Sequence, residues 1–318
     1  MRARLSMKVL VTGGTGYLGR AVVRAFARHG HDVVVYSRGA SSAPPDGASA
    51  AVGGDVRDAA AHRRSATGCD AICHTAALVS IWRRRTQDFD DVNVGGLRNV
   101  VDAAAALGIH RVLYTSSFLA LPPAGRSTPI EANDYQRTKV AADRAADAAV
   151  SNGAPIVRVY PGVIYGPGFR TEGNLVGRMI DDHLKRKLPG LIGPEHQWSY
   201  SFVDDVADGH CAALERGAIG GRYLLGGENA TQQRLFEIVE QLTGRKVPVR
   251  IPYSMATMLG ALEEIRVRAF GGLPLVTRGA VEIFRYDWTL DSTEAVRSLG
   301  YRITPLTEGV RRTLEERP

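Results

Sequence analysis

A glycine-rich turn near the start of the chain restricts its fold more than any other feature. Thr12-Gly13-Gly14-Thr15-Gly16-Tyr17-Leu18-Gly19 lies between the apolar run Lys8-Val9-Leu10-Val11 and an amphipathic stretch, Arg20 to His29, that stops at Gly30. Strand, turn and helix is the order this predicts. The glycines at 13, 16 and 19 would have separate uses. The first permits a tight turn, the second lets backbone approach a pyrophosphate, and the third lets the helix pack closely, its N-terminus attracting phosphate charge. Gly13, Thr15, Gly16, Tyr17 and Leu18 would then border a dinucleotide; the alternative is a purely structural turn.

The alternation continues. Asp32 to Tyr36 and Ala71 to Thr75 read as strands, Val94 to Ala106 as a helix, His110 to Thr115 as a strand, Asp134 to Val150 as a helix and Pro155 to Val159 as a buried strand. Such a succession predicts a parallel sheet covered on both faces. Beyond Pro161 the pattern loosens, with a strand at Arg222 to Leu225 and helices near Val206 to Glu215, Gln233 to Thr243 and Thr307 to Glu316. The expected fold class is α/β, a doubly wound parallel Rossmann sheet with a smaller C-terminal substrate-binding lobe. Residues 7–165 would form the dinucleotide-binding domain and 166–318 mainly the lobe, with about 198–216 returning to the Rossmann core.

A net charge of +7 raises nucleic acid or an anionic membrane as partner, but the basic residues fall in short scattered clusters, such as Arg83-Arg84-Arg85 and Lys185-Arg186-Lys187. With no nucleic-acid module recognisable, the expectation is a solvated basic surface and neither of those partners. Cys69, Cys73 and Cys211 build no disulfide framework and lack the second pair a zinc site would need. No metal and a reduced, cytoplasmic setting are therefore expected. Met1 to Ser6 has no apolar run of the export kind, and no segment reaches bilayer-spanning length.

The second strand ends in Tyr36-Ser37-Arg38-Gly39, where the adenosine ribose lies in this architecture. An acidic residue there would grip the ribose hydroxyls and repel a 2′-phosphate. Arg38 instead offers a planar donor fork suited to phosphate, which favours NADP while leaving NAD open. An arginine merely solvated in a loop is the alternative. Asp55, beside Val56, stands where a carboxylate could accept from an adenine amino group. In His74-Thr75-Ala76-Ala77, the small Ala76 and Ala77 would let backbone lie against the cofactor, and His74 reads as structural.

Tyr135-Gln136-Arg137-Thr138-Lys139 puts a tyrosine and a lysine at i and i+4, on one face of a helix. It follows a strand ending in Tyr114-Thr115-Ser116-Ser117, which can present a hydroxyl beside the phenol. A phenol titrating near pH 10 is a poor acid-base catalyst at neutral pH unless a cation stabilises its anion, and Lys139 would supply one. Ser117 would donate to a substrate oxygen as it gains charge, while Tyr135 exchanges the proton with it.

With these residues, the chain resembles the extended short-chain dehydrogenase/reductases, the NAD-dependent epimerase/dehydratase family. The resemblance runs from the glycine turn to Leu290-Asp291-Ser292. Within that family it is most similar to the dihydroflavonol-4-reductase-like branch, plant farnesol-dehydrogenase-like members in particular. The segments that carry this are His74 to Leu78, Asn93-Val94-Gly95-Gly96, Tyr114 to Ser117, Tyr160 to Gly168, Phe202 to His210 and Tyr223 to Asn229. It implies a catalytic triad of Ser117, Tyr135 and Lys139, with Lys139 also holding the nicotinamide ribose and Asn93 near the proton relay. It further implies that Pro161, Gly162 and Val163 line the nicotinamide face, that Phe118, Trp82 and Asn174 are candidates for the substrate pocket, and that a homodimer is open. Two departures stand out: the interval of 18 positions from Ser117 to Tyr135 is short, and Arg83-Arg84-Arg85 follows Trp82. Those arginines suit an anionic substrate or a solvated loop.

The implied activity is hydride transfer between a nicotinamide and a small carbonyl or alcohol. A sugar-nucleotide epimerase shares the fold, the tyrosine and the lysine but keeps its NAD; Arg38 argues against it. A non-enzymatic dinucleotide sensor would have no need of the serine, tyrosine and lysine.

Overall fold

In the computed structural model, which describes residues 6–316, the apolar runs of the first half become the parallel sheet that their near-continuous hydrophobicity predicts. Met1–Leu5, most of the segment read above for its lack of an apolar run, lie outside the described residues. The strands are β1 (Lys8–Thr12), β2 (Asp32–Ser37), β3 (Ala50–Gly53), β4 (Ala71–His74), β5 (Val112–Thr115) and β6 (Ile156–Pro161), then β7 (Val163–Tyr165), β8 (Leu191–Ile192), β9 (Gln197–Phe202), β10 (Arg222–Leu225), β11 (Glu228–Thr231) and β12 (Arg250–Ile251). Seven of them form one sheet in the order β3-β2-β1-β4-β5-β6-β10, every neighbouring pair parallel. The strand order reverses between β1 and β4, and the crevice beyond their carboxyl ends is where such a sheet binds ligands.

The helices of the first half are α1 (Tyr17–Arg28), α2 (Ala59–Ala66), the short turn α3 (Gln87–Phe89), α4 (Gly96–Leu107) and α5 (Asp134–Ser151). Those that follow are α6 (Leu175–Leu184), α7 (Val203–Arg216), α8 (Gln232–Thr243), α9 (Tyr253–Phe270), α10 (Arg278–Ile283), α11 (Thr293–Leu299) and α12 (Leu306–Glu315). Because strand side chains alternate, Val9, Val11, Val33 and Val35 pack under α1 and α7, whereas Leu10, Val34, Ile72 and Val112 pack under α4 and α5. A third core, around Trp198, Tyr200, Phe202, Phe236 and Trp288, belongs to the second lobe, where β11, β9 and β7 form a small sheet and β8 pairs with β12. No helix among the described residues is long and apolar enough to cross a membrane.

Several elements differ from the sequence expectation. α1 begins at Tyr17 and not Arg20, because Gly19 tucks into the first helical turn. The helix expected from Val94 starts at Gln87 and passes through a π-helical stretch, Asp90–Gly95, before α4. The return to the first sheet runs through α7 and β10, so it extends past 216, whereas the start of the expected 198–216 segment is β9, in the small sheet of the second lobe. β3, α2 and most of the second lobe have too little periodicity to be read in advance.

Candidate active site

The glycine turn is close-packed, and the backbone shows why side chains are excluded. Gly13 has φ +73°, and a Cβ on it would lie 2.7 Å from the Ala76 backbone, so the loop after β4 rests directly on the turn. A Cβ on Gly19 would lie 2.1 Å from the Gly13 carbonyl oxygen, which is the close helix approach expected of the third glycine. Gly16 is exposed at the N-cap of α1, and no side chain caps that helix end, leaving its N–H groups facing the crevice mouth. These features suit a pyrophosphate. Thr15 Oγ1 is hydrogen-bonded to Ser37 Oγ at 2.6 Å, tying the turn to the end of β2. Leu18 is half-buried, whereas the Tyr17 ring packs beneath Gly166 and Gly168, so only the Tyr17 backbone is turned toward a phosphate.

Arg38 is exposed just past the end of β2, near enough to Asp55 that its charge favours the carboxylate. Asp55 is gripped by Arg57, whose Nη2 and Nε lie 2.7 and 3.0 Å from its two oxygens, and this pairing holds the carboxyl below its ordinary range. Tyr36 donates its hydroxyl to the Asp55 carbonyl at 2.8 Å, while Val56 is buried against Gly96. Arg57 and Ser37 were not singled out from the sequence: Arg57 meets Asp55 two residues away without belonging to a recognised spacing, and only folding brings Ser37 beside Thr15.

Helix α5 opens with Asn133, whose side chain accepts from the Gln136 N–H at 2.8 Å. Gln136, fully buried, donates to the Leu119 carbonyl at 3.3 Å and accepts from Ala132 N–H at 3.1 Å, coupling the helix start to the 3₁₀ turn Phe118–Ala120. That turn sets Ser117. Its Oγ accepts the Leu119 N–H at 3.2 Å, so its own proton remains available to donate, and it lies near enough to the Tyr135 phenol to favour the anion. Ser116 has a different fate: its hydroxyl donates to Asp143 at 3.1 Å inside the core.

Burial nonetheless pushes the Tyr135 phenol up to about 12, with Ser117 pulling against it. Lys139 is buried and donates to the Thr115 carbonyl at 3.4 Å; its ammonium is 5.9 and 6.0 Å from the Tyr114 and Tyr135 rings. Desolvation brings it down to about 8, opposed by Asp143 one turn further along the helix. Asn93, in the π-helical stretch, donates to Thr138 at 2.9 Å and accepts from Leu78 N–H at 2.8 Å, so it clamps the loop after β4 to α5 one position before Lys139.

His74 is buried, 2.7 Å from Thr12 Oγ1 and stacked on Tyr114, and burial holds its pKa down to about 3, with smaller contributions from His62 and Lys139; it is a neutral strut between β4, β1 and β5. Pro161 closes β6, and a Cβ on Gly162 would strike the Ser199 carbonyl, so β9 alone already demands that glycine; Val163 opens β7. Phe118 forms an aromatic wall with Trp198 and Trp288, at 6.2 and 5.5 Å between rings. Asn174 is not a pocket residue: its side chain caps α6 and donates to the Gly166 and Phe169 carbonyls. Trp82 is half-buried beside Ser80. Arg83 faces Glu172, and Arg85 faces Asp88 and Asp91, so much of this positive charge is met locally. One His/Cys/Glu group, His29, Cys211 and Glu215, joins α1 to α7 and is knit by a His29–Glu215 contact of 3.4 Å.

A family model described as the NAD dependent epimerase/dehydratase family matches residues 9–226. The chain is 32% identical over 311 residues to sterol demethylase protein B of Methylococcus capsulatus, covering 92% of this chain and 93% of that one. It is 28% identical to 2-alkyl-3-oxoalkanoate reductase of Stenotrophomonas maltophilia, covering 96% and 98%. Among solved structures, gox2253 superposes with a TM-score of 0.80 at 29% identity over 97% of both chains. A Bacillus cereus UDP-glucuronic acid 4-epimerase, with a TM-score of 0.76 at 19% identity over 98% of both, shares the fold.

Proposed function

The chain belongs to the NAD dependent epimerase/dehydratase family, and from that premise we propose that it is an NADP-preferring oxidoreductase that interconverts an apolar ketone or aldehyde and its alcohol. The observation that carries this is the Ser117 hydroxyl beside the Tyr135 phenol, with the buried Lys139 ammonium 6.0 Å from the centre of that ring.

A bound nicotinamide would supply or accept the hydride. Gly13, Thr15, Gly16 and the backbone of Tyr17 and Leu18 would hold the pyrophosphate, Arg38 the 2′-phosphate, Asp55 and Val56 the adenine, Ala76 and Ala77 the backbone side of the cofactor, and Pro161, Gly162 and Val163 the nicotinamide face. In reduction, Ser117 would donate a hydrogen bond to the carbonyl oxygen as charge develops there and keep its proton, while Tyr135 transfers the single phenolic proton that completes the alcohol. Lys139 stabilises the phenolate left behind, and in oxidation the same groups run in reverse. An apolar substrate is supported by Phe118, which follows Ser117 directly and belongs with Trp198 and Trp288 to the core against which Tyr135 packs. The names of the sterol and alkyl-oxoalkanoate relatives point the same way, as does the dihydroflavonol-4-reductase-like resemblance.

The deciding experiment pairs cofactor titration with turnover. Nucleotide-free protein is titrated with NADPH and NADH, then assayed on a panel of apolar ketones, aldehydes and alcohols with wild type and Tyr135→Phe. The expected result is tighter NADPH, a preference that Arg38→Ala erases by about tenfold, or ~1.4 kcal/mol, and turnover that Tyr135→Phe lowers by roughly 10²–10⁴-fold. Equal or tighter NADH together with exchange-resistant NAD and UDP-dependent stabilisation would replace this proposal with the epimerase reading.

A further inference from the structure

Among the described residues, eight of the seventeen exposed large apolar side chains fall between Met255 and Leu275, on α9 and the turn after it; the others are scattered. α9 turns Ala256, Gly260, Glu263 and Val267 inward, where Gly260 lets the start of α10 approach closely. Met255, Met258, Leu262 and Ile265 therefore form a stripe on the outer face, continued by Phe270 and Leu275, which are 87% and 80% exposed. The turn is pinned in this orientation. Glu263 accepts from the Leu275 N–H and from Arg266, and Arg266 donates to the Leu273 carbonyl.

The charges on this segment are sorted. Its two acids, Glu263 and Glu264, are paired with Arg266 and Arg278, whereas Arg268 stands exposed beside the apolar stripe. We infer that α9 and the turn to Leu275 lie on an anionic lipid surface, the stripe sinking into the headgroup and acyl boundary while Arg268 meets lipid phosphates. An apolar face with an unpaired cation at its rim, on a chain of net positive charge, suits binding in the interface plane without spanning it. A ring as exposed as Phe270 stands clear of the protein, and a fluid acyl layer accommodates it without a matching pocket. The chain's net charge of +7 adds to the attraction. This departs from the sequence expectation of no membrane partner, because the sequence alone could not show which face of α9 the fold would cover.

The test is co-sedimentation of the full chain with vesicles of phosphatidylcholine alone and of phosphatidylcholine mixed equally with phosphatidylglycerol. The expected result is binding to the mixed vesicles, weakened about tenfold or more by high salt, by omission of phosphatidylglycerol, or by Leu262→Asp with Ile265→Asp. Phe270→Trp should add a blue-shifted emission on those vesicles. Should the double variant fail to fold, Phe270→Ser, beyond the helix end, is read instead. No pelleting with mixed vesicles, or pelleting that neither variant changes, overturns the inference. So does a solution dimer that the double variant dissociates in a protein that never binds lipid, which would assign the stripe to a second copy.

Discussion

Gly19 has no room for a single added methyl, since a Cβ there would sit 2.1 Å from the Gly13 carbonyl oxygen, and backbone cannot yield as a flexible side chain does. Gly19→Ala should cost about 1–3 kcal/mol of stability and weaken NADPH binding more than that loss alone would, since the turn itself must shift; denaturant melts and titration of the same variant separate the two. The paired serines allow a sharper comparison. Ser117 has a proton to give, whereas Ser116 spends its own on Asp143. Ser117→Ala should therefore lower kcat by about 2.7–4 kcal/mol of barrier, while Ser116→Ala should spare kcat at neutral pH and act chiefly on stability.

Helix α5 carries its chemistry on one stripe, Tyr135, Lys139 and Asp143 following at four-residue steps. Asp143 accepts from Ser116 and, at 2.7 Å, from Tyr160, and faces Arg222 and Arg158, so it is held firmly one turn from Lys139. Folding lowers the Lys139 pKa from 10.5 to about 8, so between those values the unfolded chain holds a proton that the folded one lacks. Stability then rises with pH across that window, and the stability of wild type relative to Lys139→Met should improve as pH increases from about 8 toward 10.5. A pH-independent gap would contradict the buried charge. In the proposed mechanism reduction requires Lys139 protonated, so its rate should fall as pH rises through about 8. Asp143→Asn should move that alkaline limb to lower pH, because Asp143 favours the ammonium. Asp147→Asn, which also loses contacts with Arg158 and Arg222 but is exposed, should leave the limb in place.

At the scale of the molecule, the chain crosses between its two lobes repeatedly: β7 and β9 build the second, α7 and β10 return to the first, and α12 goes back to the second. Ser80 and Arg83 on one loop also meet Glu172 on another. Such interleaving predicts one cooperative transition. Fluorescence, dominated by buried Trp198 and Trp288 of the second lobe, and far-ultraviolet circular dichroism should give the same unfolding midpoint. Separate midpoints would mean that the lobes are stable independently.

What could be read before folding was whatever depends on neighbours along the chain. The glycine spacing, the alternating β-rich and helical runs, and the four-residue step from Tyr135 to Lys139 are local geometry, and they were enough for the doubly wound sheet and for a candidate catalytic face. The tertiary structure alone decided that Ser116 spends its proton on Asp143, that Arg83 meets Glu172, and that Gln136 ties the turn after Ser117 to α5. It also decided that α9 keeps its apolar side outward. Each of these rests on a partner from elsewhere in the fold, or on the lack of a covering one. Periodicity records which faces of an element are apolar, but not which of them another element will cover.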